Sequence, residues 1–318
     1  MKPYKFKPYL KETIWGGEKI APYKHIQSAS NCIGESWEIS GVAGYESVVA
    51  DRGLAEDDAV GLTLPQLIDR YKGQLVGEKV YAQFGNQFPL MVKFIDAKDD
   101  LSVQVHPNDE LAQKRHNCLG KNEMWFLLHA DKGAKIYAGL TQDLTPEKYD
   151  QLVEENALMS VVAVHESHEN DYFYIPAGRV HAIGAGNFLV EIQQSSDITY
   201  RIHDYDRRDA QGNPRELHIR EAKEAIDCRC YPDYRHTCDT TTSSSPLVQC
   251  PYFNVYRLSL QGTETIDFQT DTFIILVCLS GKATLNGISI QQGETALVPA
   301  CNNILHMTGN GTFLAATL

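Results

Sequence analysis

The sequence lacks a long apolar segment. Its longest uninterrupted apolar run, Phe273 to Leu279, has seven residues, whereas a helix needs about 20 to span a bilayer. The N-terminal residues 1–15 contain lysines and aromatic residues but no apolar stretch of the kind found in a secretory signal peptide. We therefore expect no transmembrane helix and a cytoplasmic location.

Positive charge is also scarce. The chain has 29 Lys and Arg residues against 41 Asp and Glu residues, which gives a formal net charge of −12. Such a chain repels the phosphates of DNA and RNA and the surface of anionic membranes. We therefore expect neither a nucleic acid nor a membrane as partner, and any anionic ligand must bind in a locally basic pocket.

The composition is otherwise that of a globular protein. The 318 residues are 43% hydrophobic and 22% charged, which suits one large domain or two ordinary ones. Eight cysteines are present, but without a secretory signal they are expected to be reduced thiols and not a disulfide framework.

Most of the chain alternates apolar and polar residues over short runs broken by Gly, Pro, Asn and Asp, a pattern that predicts β-strands. The fold class predicted is mainly β. The strands expected in the first part of the chain are Glu35 to Ser40, Leu90 to Asp96, Leu101 to Val105, Glu123 to Leu128, Lys135 to Ala138, Asp171 to Ile175, Phe188 to Gln193 and Asp197 to Ile202.

Three segments have helical spacing, at Leu64 to Tyr71, Pro146 to Leu158 and His218 to Ile226. They are predicted to cover the first domain. A polar tract from Thr237 to Ser245 separates them from a second series of short strands, in which Ser280-Gly281, Asn286-Gly287 and Gln292-Gly293 are expected to form turns. The predicted domains are residues 1–240 and a C-terminal β domain at 241–318 without a metal.

The segment LSVQVHP carries the first chemical signal. Strand alternation places Ser102, Gln104 and His106 on one face. Glu123 begins another predicted strand, and His181 follows a Pro-x-Gly turn. Nitrogen and oxygen donors on neighbouring strands are suited to a divalent ion such as zinc, although a lone strand histidine is more often a hydrogen-bonded structural residue.

The segment from Phe188 to Arg201 adds charged groups. Alternation places Glu191 and Gln193 on one strand face, and Asp197 with Arg201 on one face of the next predicted strand. A carboxylate beside a guanidinium can be a surface ion pair of little energetic value. It can also be a proton-transfer group beside a cation that binds a phosphate or an oxyanion.

Several of these segments together resemble one family. The runs FPLMVKFIDAKDDLSVQVHP, GKNEMW, IPAGRVHAIGAG and EIQQSSDITYR, with the earlier IWGG and GESWEIS, occur in the order typical of type I mannose-6-phosphate isomerases. The resemblance covers residues 1–235 densely and the C-terminal part loosely, and the length is similar to that of the shorter bacterial members. It implies two cupin-like β-barrel or jelly-roll domains, with a few covering helices on the first.

The resemblance also implies site residues and a cofactor. One zinc ion would be bound by Gln104, His106, Glu123 and His181. Catalytic roles fall on Arg201, Lys121 and Asp197, and substrate-binding roles on Lys93, Ser102 and Glu191. Where longer members have Lys-Pro-Glu, this chain has Lys121-Asn122-Glu123.

The reaction implied is the interconversion of mannose 6-phosphate and fructose 6-phosphate through an enediol. Zinc and Arg201 would stabilise the charge on the substrate oxygens, Lys93 and Lys121 would add positive charge, and Asp197 or Lys121 would transfer protons. A neutral Lys121 would require its pKa to be lowered by neighbouring cations.

Two other classes of protein remain open at this point. Two histidines and a glutamate could be the facial triad of a non-haem iron oxygenase, although Gln104 would then fill an oxygen-binding position. A non-catalytic sugar-phosphate-binding cupin would keep the same pocket. The sequence does not distinguish a monomer from a homodimer.

Overall fold

The computed structural model describes residues 1–54, 57–208 and 211–318, and β-structure dominates it. These residues form twenty strands, which are β1 (Tyr4–Lys7), β2 (Tyr9–Gly17), β3 (Ile33–Ile39), β4 (Val48–Val49), β5 (Leu90–Asp96), β6 (Val103–Val105), β7 (Glu123–Ala130), β8 (Lys135–Leu140), β9 (Val162–Glu166), β10 (Asp171–Ile175), β11 (His181–Ile183), β12 (Asn187–Gln194), β13 (Tyr200–His203), β14 (His236–Thr237), β15 (Ser244–Gln249), β16 (Asn254–Ile266), β17 (Ile274–Leu285), β18 (Ile288–Gln291), β19 (Thr295–Val298) and β20 (Leu305–Thr317).

Helices lie mainly in the first two thirds of the chain. They are α1 (Ile20–Tyr23), α2 (Leu64–Tyr71), α3 (Gly73–Val76), α4 (Glu78–Phe84), α5 (Asp109–His116), α6 (Pro146–Glu154) and α7 (Ile219–Ala225), with 3-10 turns at Leu158–Val161 and Ala300–Asn302. The three helices expected from the sequence are confirmed. Within the described ranges, no helix has the length and apolar character needed to cross a membrane.

The strands form three mainly antiparallel sheets. The first two orders are β14-β10-β7-β12-β5-β3-β2 and β13-β6-β11-β8-β9. The third is β15-β16-β20-β17-β19-β1-β4, with β18 on β17. None of these sheets closes into a complete barrel in the described part of the chain. The prediction of a mainly β, cupin-like jelly-roll fold is confirmed.

The seven-stranded sheet is the middle layer and is buried on both faces. Because side chains alternate across a strand, Phe94 and Phe126 lie on one face, in the same apolar cluster as Phe253 and Phe273 of the C-terminal part. The opposite face carries Leu127, among others, toward apolar residues of the five-stranded sheet. The space between the seven- and five-stranded sheets is where the polar faces of β6, β7, β11 and β12 meet.

The outer side of the five-stranded sheet is covered by helices. Val103 and Val105 of β6 pack with Tyr149 of α6 and Ala222 of α7 in a separate apolar cluster. Thr145 caps α6 by accepting a hydrogen bond from the Lys148 backbone N–H, as expected for threonine at a helix start. The apolar residues of LSVQVHP therefore face the helices, and its polar residues face inward.

Two expected turns gave different results. Asn286-Gly287 joins β17 to β18, and both residues have positive φ, as a tight hairpin turn requires. Ser280-Gly281 does not end a strand, because β17 continues to Leu285 with a register shift between Cys278 and Ser280. Gly281 has a φ of 76° and a Cβ there would lie 2.2 Å from the Asn310 carbonyl oxygen, so the glycine marks an irregularity within a strand.

The strand expected from Asp197 to Ile202 starts later. Residues 197–199 are irregular and β13 begins at Tyr200. Asp197 and Arg201 therefore do not share the face of one strand. The polar Ser-Ser-Asp run follows β12 directly, and local side-chain hydrogen bonds of such residues favour a turn over a strand.

The N-terminal strand joins the C-terminal sheet. β1 pairs with β19 through Tyr4 and Leu297, and with β4 through Phe6 and Val49. One sheet therefore contains strands from both sides of the predicted boundary at residue 240, which itself stays a prediction. All eight cysteines are free, so the expectation of unpaired thiols is confirmed.

A buried ion pair joins the middle layer to the C-terminal part. Lys24 Nζ lies 2.7 Å from Glu38 Oε2, and both side chains are about 5% exposed. Lys24 also donates to the Gly293 carbonyl oxygen, and Ser36 Oγ donates to Glu38 Oε1 at 2.6 Å. Glu38 lies on β3, so this pair fixes that strand against the turn before β19.

We expect Lys24→Met to lower the free energy of unfolding by roughly 3–5 kcal/mol, because it leaves the buried Glu38 carboxylate without its cation. Chemical denaturation followed by tryptophan fluorescence measures the loss. The double variant Lys24→Met/Glu38→Leu removes both charges and should recover most of it. An equal loss in the single and double variants would contradict this account.

Candidate metal centre and active site

Three predicted ligands from two sheets meet in the space between them. His106 follows β6 and His181 opens β11 in the five-stranded sheet, whereas Glu123 opens β7 in the seven-stranded sheet. All three are buried, and their ligand atoms lie within 4.8 Å of one another. Within the described residues, this is the one such group of three His, Cys, Asp or Glu side chains.

Backbone carbonyls orient both imidazole rings. His106 Nδ1 lies 2.8 Å from the Ile198 carbonyl oxygen, and His181 Nδ1 lies 2.8 Å from that of Arg179. Because a carbonyl oxygen only accepts hydrogen bonds, each Nδ1 carries the proton and each Nε2 offers a lone pair. The Nε2 atoms point to the centre, 3.6 and 3.4 Å from the oxygens of Glu123.

The electrostatics of the three groups suit a cation. Burial lowers the pKa of His181 to about 3 and that of His106 well below its usual value, so both rings are neutral, the form that binds metals. Burial, reinforced by Glu191, raises the pKa of Glu123 to about 7. Both Glu123 oxygens are buried without a hydrogen bond of good geometry, and the Lys121 ammonium, 2.6 Å from Oε2, is the cation beside them. Two neutral imidazoles and a buried carboxylate with free acceptor capacity form a donor set that fits a divalent metal.

Gln104 lies beside the three buried groups. It pairs in register with His181 on one side and Arg201 on the other, so all three side chains project from one face of the sheet. Gln104 Nε2 is 3.3 Å from His181 Nε2, and Ser102 Oγ is 3.3 Å from Gln104 Oε1. Its position is adjacent to the centre, as a fourth ligand requires.

A row of alternating charges leads from the cavity wall to the metal centre. We call it the charge row; in order its members are Lys11, Glu35, Lys93, Glu191, Lys121 and Glu123. Lys93 Nζ lies 3.5 Å from Glu35 Oε2 and 3.5 Å from Glu191 Oε1. The pairing of β5 with β12 places Lys93 directly opposite Glu191, so sheet register creates this contact.

Two tryptophans hold the carboxylates of the charge row. Trp37 Nε1 donates to Glu35 Oε2 at 2.7 Å, and Trp125 Nε1 donates to Glu191 Oε2 at 2.9 Å. Burial alone would raise the pKa of Glu35, but Lys93 and Lys11 lower it to about 2. Burial would likewise raise the pKa of Glu191, but the charges of Lys121 and Lys93 outweigh burial and the net shift is downward. Both carboxylates are therefore ionised at neutral pH.

Lys121 is positioned as predicted but its surroundings are acidic. Its Nζ lies 2.6 Å from Glu123 Oε2 and 3.7 Å from Glu191 Oε1. Burial alone lowers the pKa of Lys121, but the two carboxylates outweigh burial and the net shift is upward. These two carboxylates therefore favour the charged form of Lys121.

A cavity of about 450 Å³ opens above the centre. The three predicted substrate-binding residues, Lys93, Ser102 and Glu191, line its wall together with Gln104, Asp197 and Arg201. His106, Lys121, Glu123 and His181 are buried side chains at or near its base. The structure thus brings every predicted site residue into one region.

Arg201 faces the cavity with neutral partners. Its Nε donates to Ser102 Oγ at 3.2 Å, and its NH1 donates to the Glu216 carbonyl oxygen at 2.8 Å. In the part of the chain that the structure describes, no carboxylate forms a salt bridge with this guanidinium. Its charge is therefore available to an anionic ligand, whereas those of Lys93 and Lys121 are balanced by glutamates.

Sequence reasoning missed several residues of the cavity wall. Lys11, Glu35, Trp37 and Arg215 all line it. The alternation in GESWEIS places Glu35 and Trp37 on one face of β3, which is the signal that could have found them. Arg215 lies in an irregular segment, and its two hydrogen bonds to Asp204 depend on tertiary contact.

The fold and the site together define a class. A jelly-roll protein with a buried His-Glu-His group at the base of a polar cavity is a cupin protein equipped to bind a metal. The family model for the catalytic domain of type I phosphomannose isomerase matches residues 4–124, and that for the cupin domain of mannose-6-phosphate isomerase matches residues 243–318.

Full-length relatives extend these matches. The mannose-6-phosphate isomerase ManA of Bacillus subtilis (strain 168) is 36% identical over 293 residues, which are 89% of this chain and 87% of the relative. The mannose-6-phosphate isomerase of Streptococcus mutans is 31% identical over 91% of this chain and 90% of its own. The crystal structure of a mannose 6-phosphate isomerase from Bacillus subtilis superposes with a TM-score of 0.85 at 27% identity, covering 100% of both chains. The chain belongs to the type I phosphomannose isomerase family.

We expect Lys93→Met to raise the pKa of Glu35 well above about 2, because Lys93 is the strongest influence that lowers it. In the native protein, Glu35 stabilises the fold above its unfolded pKa near 4.5, and this contribution is lost as the pH falls toward 2. NMR titration of glutamate side chains, with Glu35→Gln for assignment, measures the shift. A variant that removes the exposed Lys132 serves as control. If the pKa of Glu35 were the same in this variant and in Lys93→Met, Lys93 would not be the group that lowers it.

Proposed function

We propose that this chain is a zinc-dependent mannose-6-phosphate isomerase that interconverts D-mannose 6-phosphate and D-fructose 6-phosphate through an enediol. The observation that carries the proposal is the position of the buried His106, Glu123 and His181 group beneath a cavity lined by Lys93 and Arg201. Relatives that are named for this activity match about nine tenths of the chain, which supports the same substrate.

One zinc ion would be held by His106, Glu123 and His181, with Gln104 as the fourth ligand. When bound, zinc supplies a Lewis acid that stabilises negative charge on a substrate oxygen. Lys121 contacts Glu123 directly, so its ammonium group holds that ligand carboxylate in place. Because both imidazoles are neutral and fixed by carbonyl oxygens, the site needs little rearrangement to bind a cation.

Aldose–ketose isomerisation moves a proton between C2 and C1 of the sugar. It requires a base at the carbon, stabilisation of the enediolate oxygens, and a cation for the phosphate. Arg201 is suited to the oxyanion or the phosphate, because its guanidinium faces the cavity without a carboxylate partner in the described residues. Ser102 accepts a hydrogen bond from Arg201 and so orients it.

Proton transfer is assigned to Asp197. Its side chain is exposed on the cavity wall, where a carboxylate can accept a proton from bound sugar. Lys121 is the second candidate that the sequence offers, but its ammonium is already engaged by Glu123 and Glu191. We therefore assign Lys121 to charge balance and Asp197 to the base.

The remaining residues shape the pocket for a small polar ligand. Glu191 and Lys93 present a neutral ion pair to the cavity, which can exchange hydrogen bonds with sugar hydroxyls. The cavity of about 450 Å³ is in the range of sites for small molecules. We propose a cytoplasmic location; in a chain with a net charge of −12, Arg201 supplies the local positive charge that a phosphorylated sugar requires.

Removal of the metal tests the central claim. We expect the purified protein to convert mannose 6-phosphate to fructose 6-phosphate in a coupled assay. It should lose this activity in a chelator and regain it with stoichiometric zinc, because His106, Glu123 and His181 form the one metal-binding group in the described residues. Stoichiometric iron with substrate-dependent oxygen consumption would instead identify an oxygenase. Binding of the sugar phosphate without turnover in the zinc-loaded protein would identify a binding protein.

We expect Asp197→Asn to lower kcat by about 10²–10⁴-fold, the usual contribution of a general base. Metal content and thermal stability should be unchanged, because Asp197 lies on the exposed cavity wall and not among the buried ligands. Steady-state kinetics and metal analysis check both. Full turnover of the variant would remove Asp197 from the mechanism.

A further inference from the structure

One loop contacts both histidines of the metal centre. This loop, residues 176–180, joins β10 to β11. The Gly178 backbone N–H donates to the His106 carbonyl oxygen at 2.9 Å. The Arg179 carbonyl oxygen accepts the hydrogen bond from His181 Nδ1 at 2.8 Å. The position of the loop therefore influences the backbone of His106 and the ring of His181.

The side chain of Arg179 packs against two tyrosine rings, which meet edge to face with their centres 6.4 Å apart. Its guanidinium carbon lies 5.3 Å from the ring centre of Tyr231 and 4.8 Å from that of Tyr234. Its NH1 donates to the Tyr174 carbonyl oxygen at 2.7 Å. Cation–π contacts of this kind strengthen when the cation is desolvated, and burial lowers the pKa of this arginine.

Tyr231 and Tyr234 belong to the segment 227–234, which follows α7 and which we call the clamp. The Asp227 backbone N–H donates to the Gly178 carbonyl oxygen at 2.7 Å. Gly178 has a φ of 88°, and a Cβ there would lie 2.9 Å from the Ala225 carbonyl oxygen. The clamp thus holds the loop by its backbone as well as by Arg179.

The clamp is itself tied to the five-stranded sheet. Tyr234 Oη donates to the Leu140 carbonyl oxygen at 3.2 Å and accepts from the Tyr231 N–H at 2.7 Å. Gly139 has a φ of 81°, and a Cβ there would lie 2.1 Å from the Tyr234 ring. The Gly139 N–H donates to the Val180 carbonyl oxygen at 2.8 Å. Strand β8, clamp and loop therefore form one connected unit.

We propose that Arg179 is a positioning residue for the metal centre: the clamp grips its side chain, and its carbonyl oxygen thereby fixes the tautomer and rotation of His181. The proposal rests on the proposed function, because it requires that His181 binds a metal. Groups that orient metal-binding histidines typically change metal affinity by about 10–100-fold when lost. Arg179 would position His181 through its backbone carbonyl, with its side chain as the anchor.

The test is metal affinity, measured by competition with a chromophoric zinc chelator. We expect Arg179→Ala to bind zinc about 10-fold more weakly than the native protein, with a changed visible absorption spectrum in the cobalt-substituted protein. Arg179→Lys keeps a cation beside the two rings and should give an intermediate affinity. This second variant carries the test if Arg179→Ala does not fold.

Arg52→Ala is the matched control. Arg52 also packs on a tyrosine ring, that of Tyr4 at 4.2 Å, but its hydrogen bonds go to Lys2, Pro3 and Asp57. We expect this variant to lose thermal stability and to keep native zinc affinity and the native cobalt spectrum.

The outcomes distinguish failure of the positioning role from failure of the proposed metal site. Native zinc affinity and an unchanged cobalt spectrum in Arg179→Ala, with only a lower melting temperature, would show that the clamp is merely structural and overturn the proposal. Absence of zinc binding by the native protein would instead overturn the metal site of the proposed function, and the positioning role with it. Weakened binding in Arg179→Ala but not in Arg52→Ala supports the clamp.

Discussion

The burial of charge between two sheets is the constraint on which the rest of the site depends. Glu35, Lys93, Glu191, Lys121 and Glu123 are each less than a tenth exposed, and any one of them alone would be costly to remove from water. They are tolerated because they alternate in sign and because two indole N–H groups hold the carboxylates. Glu123, at the end of the row, has Lys121 on one side and no indole donor, and neither of its oxygens has a hydrogen bond of good geometry. Its side toward the two histidines is where a divalent ion fits.

Much of this arrangement could be predicted from the sequence, because strand alternation is a local property. The faces of β6 and β12 follow directly from it, and so does the inward position of Gln104, His106 and Glu191. Pairing partners are not local: that Lys93 lies opposite Glu191 depends on the register of two strands separated by about a hundred residues. The acidic surroundings of Lys121, and with them its raised pKa, could not be read from the chain for the same reason.

Irregular segments were the second limit on what could be predicted from the sequence. The strand predicted at Asp197 fails because Ser-Ser-Asp can satisfy its backbone locally, and Ser280-Gly281 was predicted as a turn although it is a disturbance within a long strand. Asn286-Gly287 was predicted correctly, because a tight hairpin turn needs two adjacent residues with positive φ and Asn-Gly is a preferred pair for it. The clamp at 227–234 carries no periodic pattern, so only the contacts of Tyr231 and Tyr234 with Arg179 reveal it.

The middle sheet packs against both the five-stranded sheet and the C-terminal part of the chain. Strand β3 presents Glu35 and Trp37 to the cavity and Glu38 to the C-terminal part, and the N-terminal strand β1 completes the C-terminal sheet. The back of the catalytic sheet would be a bare apolar surface without residues 241–318, and β1 would lose its partner β19. The C-terminal part thus forms one wall of the core of the protein, and a fragment that lacked residues 241–318 would expose that core to water.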